Sequence, residues 1–231
     1  MRIVILTGAG ISAESGLGTF RDKGGLWSQY DLAEVATPEG FARNPHQVHD
    51  FYNARRENAA RAKPNAAHVA LARLNGTDGP EAAIVTQNID DLHERAGSRG
   101  VIHMHGEVAR SLCGACGSRW DAAPETHPDD PCPECGNCPT RPDVVWFGEY
   151  PYRLDEIERL LRNADLFAAI GTSGEVYPAA GFVETAHANG SRTVEINLEP
   201  SQGASRFQDV IVGRATETVP VWVDGLISGE S

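Results

Sequence analysis

Four aliphatic residues, Ile3-Val4-Ile5-Leu6, run directly into Thr7-Gly8-Ala9-Gly10-Ile11-Ser12-Ala13. A short apolar run bounded by glycine reads as a strand buried on both faces, the habit of a parallel sheet covered by helices. Gly8, Gly10 and Ala13 keep a G-x-G-x-x-(G/A) spacing. The first glycine of that pattern makes the strand-to-helix turn, the second lets backbone approach a pyrophosphate, and the small third residue seats the helix against the strand. Alone, such a turn is equally well explained as a tight connection that binds nothing. Its continuation narrows the choice. An ordinary dinucleotide fold runs on into an amphipathic helix and then a second strand ending in an acidic residue, whereas here Ser15-Gly16, Gly18 and Gly24-Gly25 interrupt the helical pattern. The next convincing strand is Ala82 to Thr86, so a long insert of loop and helix separates the first two strands and is placed to cover one end of a dinucleotide.

Within the insert, Thr37 ahead of Pro38 reads as a helix cap, a second helix starts at Asn44-Pro45 and runs to about Ala62, and a third spans Asn65 to Leu74. Val101 to Gly106 reads as a short strand. From about Ser111 to Thr140 the chain turns rich in cysteine, proline and glycine and cannot bury a core of its own, so it needs a staple. Cys113-x-x-Cys116 and Cys132-x-x-Cys135, fifteen residues apart, have the spacing of a four-thiolate zinc ribbon, a closed and therefore structural site. A rival pairing of Cys135 with Cys138, leaving Cys132 spare, stays open at this point. Beyond the ribbon come a strand at Val144 to Phe147, a helix from Leu154 to Asn163, a strand from Leu166 to Ile170 ending at Gly171-Thr172-Ser173, a helix from Tyr177 to Ala188, strands Thr193 to Ile196 and Asp209 to Val212, and a last helix from Val219. The alternation of strand and helix predicts an α/β fold with a doubly wound parallel sheet of the Rossmann type and a small zinc-ribbon and helical module.

The string G-A-G-I-S-A-E-S-G-x-x-T-F-R, from Gly8 to Arg21, resembles the signature of the sirtuins, the NAD-dependent protein-lysine deacylases, and later motifs extend the likeness over nearly the whole chain. The resemblance implies a single catalytic domain over 1–231, with a large part at about 1–30, 80–106 and 143–231 and a small module made of a helical insert at about 31–79 and the ribbon at about 107–142. It implies NAD as co-substrate, one structural zinc per chain, and acylated lysine segments of other proteins as substrates. The products are nicotinamide, O-acyl-ADP-ribose and free lysine. In H-x-H-G-E the second histidine, His105, corresponds to the catalytic base, and His103 is read as a packed structural residue. Cofactor contacts are implied for Gly8, Ala9, Gly10, Ser12, Glu14, Thr19, Phe20, Arg21 and Trp27, for Gln87, Asn88 and Asp90 in T-Q-N-I-D, and for Gly171, Thr172, Ser173, Asn197, Leu198, Glu199 and Ala215. From the residues alone, Gln87, Asn88 and Asp90 serve equally well to cap a helix beginning near Asn88. Val145, Trp146, Phe147, Gly148 and Glu149 correspond to the edge on which a substrate peptide adds as a strand. Tyr52 and Arg55 share one helix face, and F-Y-x-x-R resembles the pair in sirtuins of the bacterial and archaeal class III, which remove acidic acyl groups: a guanidinium can grip a carboxylate by two hydrogen bonds. Arg56 and Arg61 on the same helix are expected to be solvated.

Composition excludes several classes. The net charge of −12 disfavours nucleic acid, which needs a basic face, and suits basic, lysine-bearing segments. No apolar run approaches the length needed to cross a bilayer. The first strand begins two positions from the first residue, which leaves no room for a signal peptide, so a cytoplasmic, monomeric enzyme is expected, with five cysteines in a reducing compartment. An NAD oxidoreductase, a mono-ADP-ribosyltransferase and a non-catalytic zinc adaptor are the competing readings. The first would carry the acidic residue after its second strand and no ribbon, and NADH formation would reveal it.

Overall fold

The computed structural model describes residues 1–18, 30–74 and 81–229. Strands β1 (Arg2–Thr7), β2 (Glu81–Thr86) and β3 (Ile102–His103) lie in one sheet with β7 (Leu166–Ile170), β8 (Arg192–Asn197) and β9 (Asp209–Val212); between them in the chain come β4 (Gly106–Cys113), β5 (Arg119–Asp121) and β6 (Thr140–Val144). The six-stranded sheet runs β3-β2-β1-β7-β8-β9 and is parallel throughout. Beginning at β1, the chain builds outward through β2 and β3, then returns to lay β7, β8 and β9 on the other side. The order therefore reverses between β1 and β7, the crevice where open α/β sheets bind ligands.

The helices in chain order are α1 (Ala9–Ser12), α2 (Leu32–Val35), α3 (Pro38–Arg43), α4 (Pro45–Arg61), α5 (Ala66–Leu74), α6 (Leu92–Arg95), α7 (Leu154–Arg162), α8 (Phe182–Ala188) and α9 (Ala215–Ser228). β1 shows why both faces of the sheet are covered. Its side chains alternate with a period of two, so Ile3 and Ile5 enter a core with Leu71 and Leu74 of α5 and Val219 and Val223 of α9. Val4 and Leu6 enter the opposite core, with Ile157 and Leu161 of α7 and Phe182 and Val183 of α8. Among the described residues no helix is long and apolar enough to cross a membrane.

The small module has its own core, in which Val48, Phe51 and Tyr52 of α4 pack on Val108, Val144 and Trp146. It has its own antiparallel sheet too, ordered β5-β4-β6. Two expectations change here. The strand read at Val144 to Phe147 instead ends at Val144 and belongs to this small sheet; its apolar residues are spent on the α4 core rather than on the parallel sheet. Arg56 is buried, not solvated: its Nε donates to the Val108 carbonyl at 2.8 Å and its Nη1 to Asn53 Oδ1 at 2.7 Å, which fastens α4 to β4. Arg61 keeps to the surface and pairs with Glu57 one turn away. The last helix starts at Ala215 rather than Val219, and the segment before α8 is a short 3-10 turn, Ala179–Gly181.

Candidate active site

The glycine turn after β1 and the Gly171 turn after β7 lie against each other. Gly8 N donates to the Ile170 carbonyl at 3.0 Å and Gly10 N to the Gly171 carbonyl at 2.9 Å. A Cβ on Gly10 would stand 2.7 Å from the Gly171 Cα, so the two turns pack backbone to backbone only because neither bears a side chain. α1 is a single turn, continued by a 3-10 turn and ended at Gly16, in keeping with the broken helical pattern of the sequence.

Ser12 meets Asn88 and Asp90, both distant from it in the chain, at this point. Asn88 Nδ2 donates to the Gly8 carbonyl and to Ser12 Oγ, both at 3.2 Å, and Ser12 Oγ donates to Asp90 Oδ2 at 3.3 Å. Burial pushes the Asp90 carboxyl up, and the Leu92 N–H it accepts opposes that. Asn88 does not cap a helix: α6 begins at Leu92, and Asn88 reaches back to the glycine turn instead. Behind Ser12 stand two histidines that the sequence did not single out, His68 at 3.4 Å from Ser12 Oγ and His93 at 3.0 Å from Thr7 Oγ1, with ring centroids 5.0 Å apart. Asn65, three residues before His68, accepts from the Ala67 N–H and donates to the Ile11 carbonyl at 2.8 Å. The only sequence signal for this pair is an asparagine ahead of a helix with a histidine in its first turn.

His105 sits between the two sheets. β3 stops at His103 and β4 starts at Gly106, so Met104-His105 is the link from the parallel sheet to the antiparallel one. Gly106 takes φ 78°, and a Cβ there would strike the Asp143 carbonyl, which explains the glycine after the histidine. The His105 backbone carbonyl accepts from Val145 N at 2.9 Å, and its Nδ1 lies 3.1 Å from the Gln87 carbonyl. A carbonyl only accepts, so Nδ1 carries the proton and Nε2 keeps its lone pair. Burial lowers the His105 pKa below the ordinary 6.5, with the Gln87 carbonyl opposing. His103 bonds the next carbonyl, Asn88, through Nδ1 at 3.2 Å and Glu94 through Nε2 at 2.9 Å. Burial pulls its pKa down, but Glu94 more than compensates and the net shift is upward.

On the far side of His105, Phe147 N donates to the Ala36 carbonyl at 2.9 Å. Phe147 is half exposed while Trp146 is buried, its Nε1 donating to Tyr52 Oη at 3.0 Å. Glu149 is held by both arms of Arg141, at 2.6 and 2.9 Å, and Arg141 stacks on the Trp146 ring. Val145 precedes Trp146, and Gly148, with φ 91°, follows Phe147. Tyr52 is fully buried, and because its oxygen accepts from Trp146, its own hydrogen remains available to a second acceptor. Arg55 lies near the rings of Phe51 and Tyr52, at 5.8 and 5.9 Å, and burial lowers its pKa, with Tyr52 and Asp90 opposing.

Of the residues expected at the adenosine end, Asn197 Nδ2 donates to the Thr172 carbonyl at 2.7 Å, bringing the β7 and β8 turns together. Ser173 Oγ accepts from Glu175 N. Leu198 and Glu199 are exposed on the same turn. Glu14 caps the start of α9: its carboxylate takes the Thr216 N–H at 3.2 Å, the Thr216 hydroxyl at 2.9 Å and Arg214 at 3.2 Å, beside Ala215. Thr19, Phe20, Arg21 and Trp27 lie outside the described residues.

The four cysteines Cys113, Cys116, Cys132 and Cys135 bring their sulfurs within 4.8 Å of one another, with Cys113–Cys135 and Cys116–Cys132 both at 3.7 Å. A regular tetrahedron of Zn–S bonds near 2.3 Å has edges of about 3.8 Å, so the set fits zinc. Asn137 Nδ2 adds a hydrogen bond to Cys135 Sγ at 3.3 Å. Cys138 turns away, toward the carbonyls of Asp129 and Asp130, which removes the rival pairing.

Comparison with known proteins agrees with this geometry. The Sir2 family pattern matches residues 8–178. An NAD-dependent protein deacylase of Caulobacter vibrioides is 58% identical over 99% of this chain and 98% of its own length. One of Escherichia coli K12 is 52% identical over 99% of this chain and 83% of its own. Among solved structures, a Sir2 homologue in complex with NAD superposes with a TM-score of 0.90 at 38% identity, covering 100% of this chain and 91% of that one. A Sir2 homologue mutant with ADP-ribose gives 0.92 at 39%, covering 99% and 93%.

Proposed function

The chain belongs to the Sir2 family and is an NAD-dependent protein deacylase, and from that premise we propose how its residues divide the work. NAD supplies the ribose carbon from which nicotinamide departs and to which the acyl oxygen of the modified lysine attaches. The glycine turns at Gly8–Gly10 and Gly171, whose own N–H groups are spent on the Ile170, Gly171 and Ile196 carbonyls, let the pyrophosphate approach the backbone closely because they carry no side chains. Ser12, Asn88 and Asp90 orient the nicotinamide end, while Asn197, with Leu198, Glu199 and Ala215, bounds the adenosine end. His105 Nε2 accepts a ribose hydroxyl proton, the Gln87 carbonyl holding the ring in the tautomer that leaves this nitrogen free. The ribose hydroxyl oxygen then bonds the acyl carbon, water adds to that carbon as its bond to the lysine nitrogen breaks, and the acyl group stays on ADP-ribose while the lysine amine is released. The observation that carries this reading is the His105–Gln87 bond, because it ties the base to the segment that also holds Asn88 and Asp90. The four cysteines hold zinc as a structural brace with no role in the chemistry.

The acyl group enters beside Tyr52 and Arg55. Arg55, half-buried beside the Phe51 and Tyr52 rings, is assigned to the acyl carboxylate, and Tyr52 donates its remaining hydrogen to the same group. Succinyl- and malonyl-lysine are therefore substrates alongside acetyl-lysine. A charge-assisted hydrogen bond contributes about 1.5–3 kcal/mol, or roughly ten- to a hundredfold in specificity. Mass spectrometry of matched acetyl and succinyl peptides with NAD tests this: Arg55→Met should cut desuccinylation by that factor and deacetylation little, and an equal effect on both would overturn the acidic-acyl assignment. The net charge of −12 supports basic protein segments as partners and disfavours nucleic acid. The reading includes a monomeric chain, which light scattering would check.

A further inference from the structure

A cavity of about 300 Å³ lies where the parallel sheet meets the small sheet, walled by His103 at the end of β3, Glu107 and Arg110 of β4, Arg119 of β5, and Arg153 ahead of α7. That volume is at the lower end of those that hold small molecules. None of the residues assigned above to NAD or to the acyl group lines it. Three guanidiniums converge there in a chain of net charge −12.

Two of the three are committed. Arg119 Nε lies 3.1 Å from Asp143 and its guanidinium stacks over Tyr152 at 5.0 Å. Arg153 grips Glu156 at 2.6 and 2.8 Å, and it is the one non-glycine with a positive φ, 58°, among the described residues. Arg110 differs in one atom: its Nε is shut off from solvent with no hydrogen-bond partner. A buried donor without an acceptor is rare in folded proteins and calls for an explanation in what the site binds. The register of β4 against β6 shifts between Gly106 and Ser111, and irregularities of this kind re-aim side chains. Arg110 sits inside it.

We propose that this cavity is a second ligand site, distinct from the NAD cleft, for a small metabolite bearing a multiply charged oxyanion, with Arg110 as the fork that receives it. Phosphate and dicarboxylate share the chemistry that a guanidinium reads. The occupant rests against His103, which bonds the Asn88 carbonyl, and against Gly106, next to His105 in the chain, so it touches the strand that carries the base.

Calorimetric titration of the zinc-loaded full chain, saturated with ADP-ribose so that the glycine turns are filled, tests the site. Inorganic pyrophosphate, inorganic phosphate and succinate serve as separate probes. At least one should bind with Kd below about 1 mM, and Arg110→Gln should weaken it by about tenfold or more, the value of a charge-assisted hydrogen bond. Arg61→Gln, on the exposed side of α4, should leave binding unchanged, and Arg110→Gln should deacylate normally without anion. Preference for pyrophosphate over succinate identifies a phosphorylated ligand, and the reverse a dicarboxylate. Should Arg110→Gln fold poorly, Arg110→Lys keeps the charge without the planar fork and should weaken binding as well. Binding undiminished in both variants, or no heat from any probe at about 10-fold that concentration, overturns the proposal.

Discussion

At the scale of single residues, one hydrogen bond decides what His105 can do. The Gln87 carbonyl accepts a hydrogen bond from Nδ1–H, so Nε2 is a base whenever the ring is neutral, and burial keeps it neutral to lower pH than a solvated imidazole. The acid limb of kcat/KM should therefore fall below pH 6.5, the ordinary value for histidine. A limb above about pH 7 would show that another group titrates. His105→Ala should lower kcat by about a hundredfold to ten-thousandfold while ADP-ribose binding, which we assign to the glycine turns, stays near wild type; equal losses in both would give His105 a structural role. The sequence pointed to His105 because it precedes a glycine near a strand end, and the structure places it in the link between β3 and β4. It could not tell that Glu14 caps α9 or that Glu149 is held by Arg141, since both contacts depend on how distant segments pack.

At the scale of elements, the ribbon depends on its metal. β5 is three residues long and the stretch from Arg119 to Thr140 adds few buried apolar side chains, so the metal must supply what a core would. Chelation or Cys113→Ser should lower the melting temperature of the small module and with it activity, whereas Cys138→Ser should be mild, because Cys138 faces the Asp129 and Asp130 carbonyls instead of the cluster. Full activity in zinc-free protein would contradict this. Elements with a clean period were legible: β1, β2, β7 and α4 fall within a residue or two of where the pattern put them, Thr37 capping as read and Asn44 capping the helix that was read to start there. What failed was the strand at Val144 to Phe147 and the solvated Arg56. An apolar run does not say which sheet it joins, and an arginine on a helix gives no sign that a strand carbonyl from another module waits for it.

At the scale of the whole molecule, the buried polar network behind Thr7 and Ser12 should govern response to acid. His68 and His93 are buried and held neutral, their pKa values lowered by burial from 6.5 to about 4 and about 3. A group whose folded pKa is depressed contributes stability that is present above its unfolded pKa and is lost as pH falls toward the folded value. The window therefore opens near pH 6.5 and extends down toward about pH 4. His49 and His105 shift the same way, and Asp90, pushed up by burial, opposes them. His103 runs in the other sense: its folded pKa is raised by Glu94, so its contribution is complete below about 6.5 and fades as pH rises through the folded value. The lowered carboxylates Glu94 and Glu149 begin to fail only below 4.5. Net charge cannot produce the loss, because a chain at −12 relaxes its self-repulsion as it takes up protons. Each pH unit over which the unfolded chain holds one proton more than the fold is worth about 1.36 kcal/mol, so a histidine with a folded pKa near 4 forfeits about 2 kcal/mol between about pH 6.5 and 4.5. Denaturant unfolding across that range should show the wild type losing stability steadily, and His68→Gln, whatever its stability at neutral pH, should lose about 2 kcal/mol less over the same interval. Parallel curves for the two proteins would mean that His68 is already protonated in the fold and that the acid sensitivity arises elsewhere.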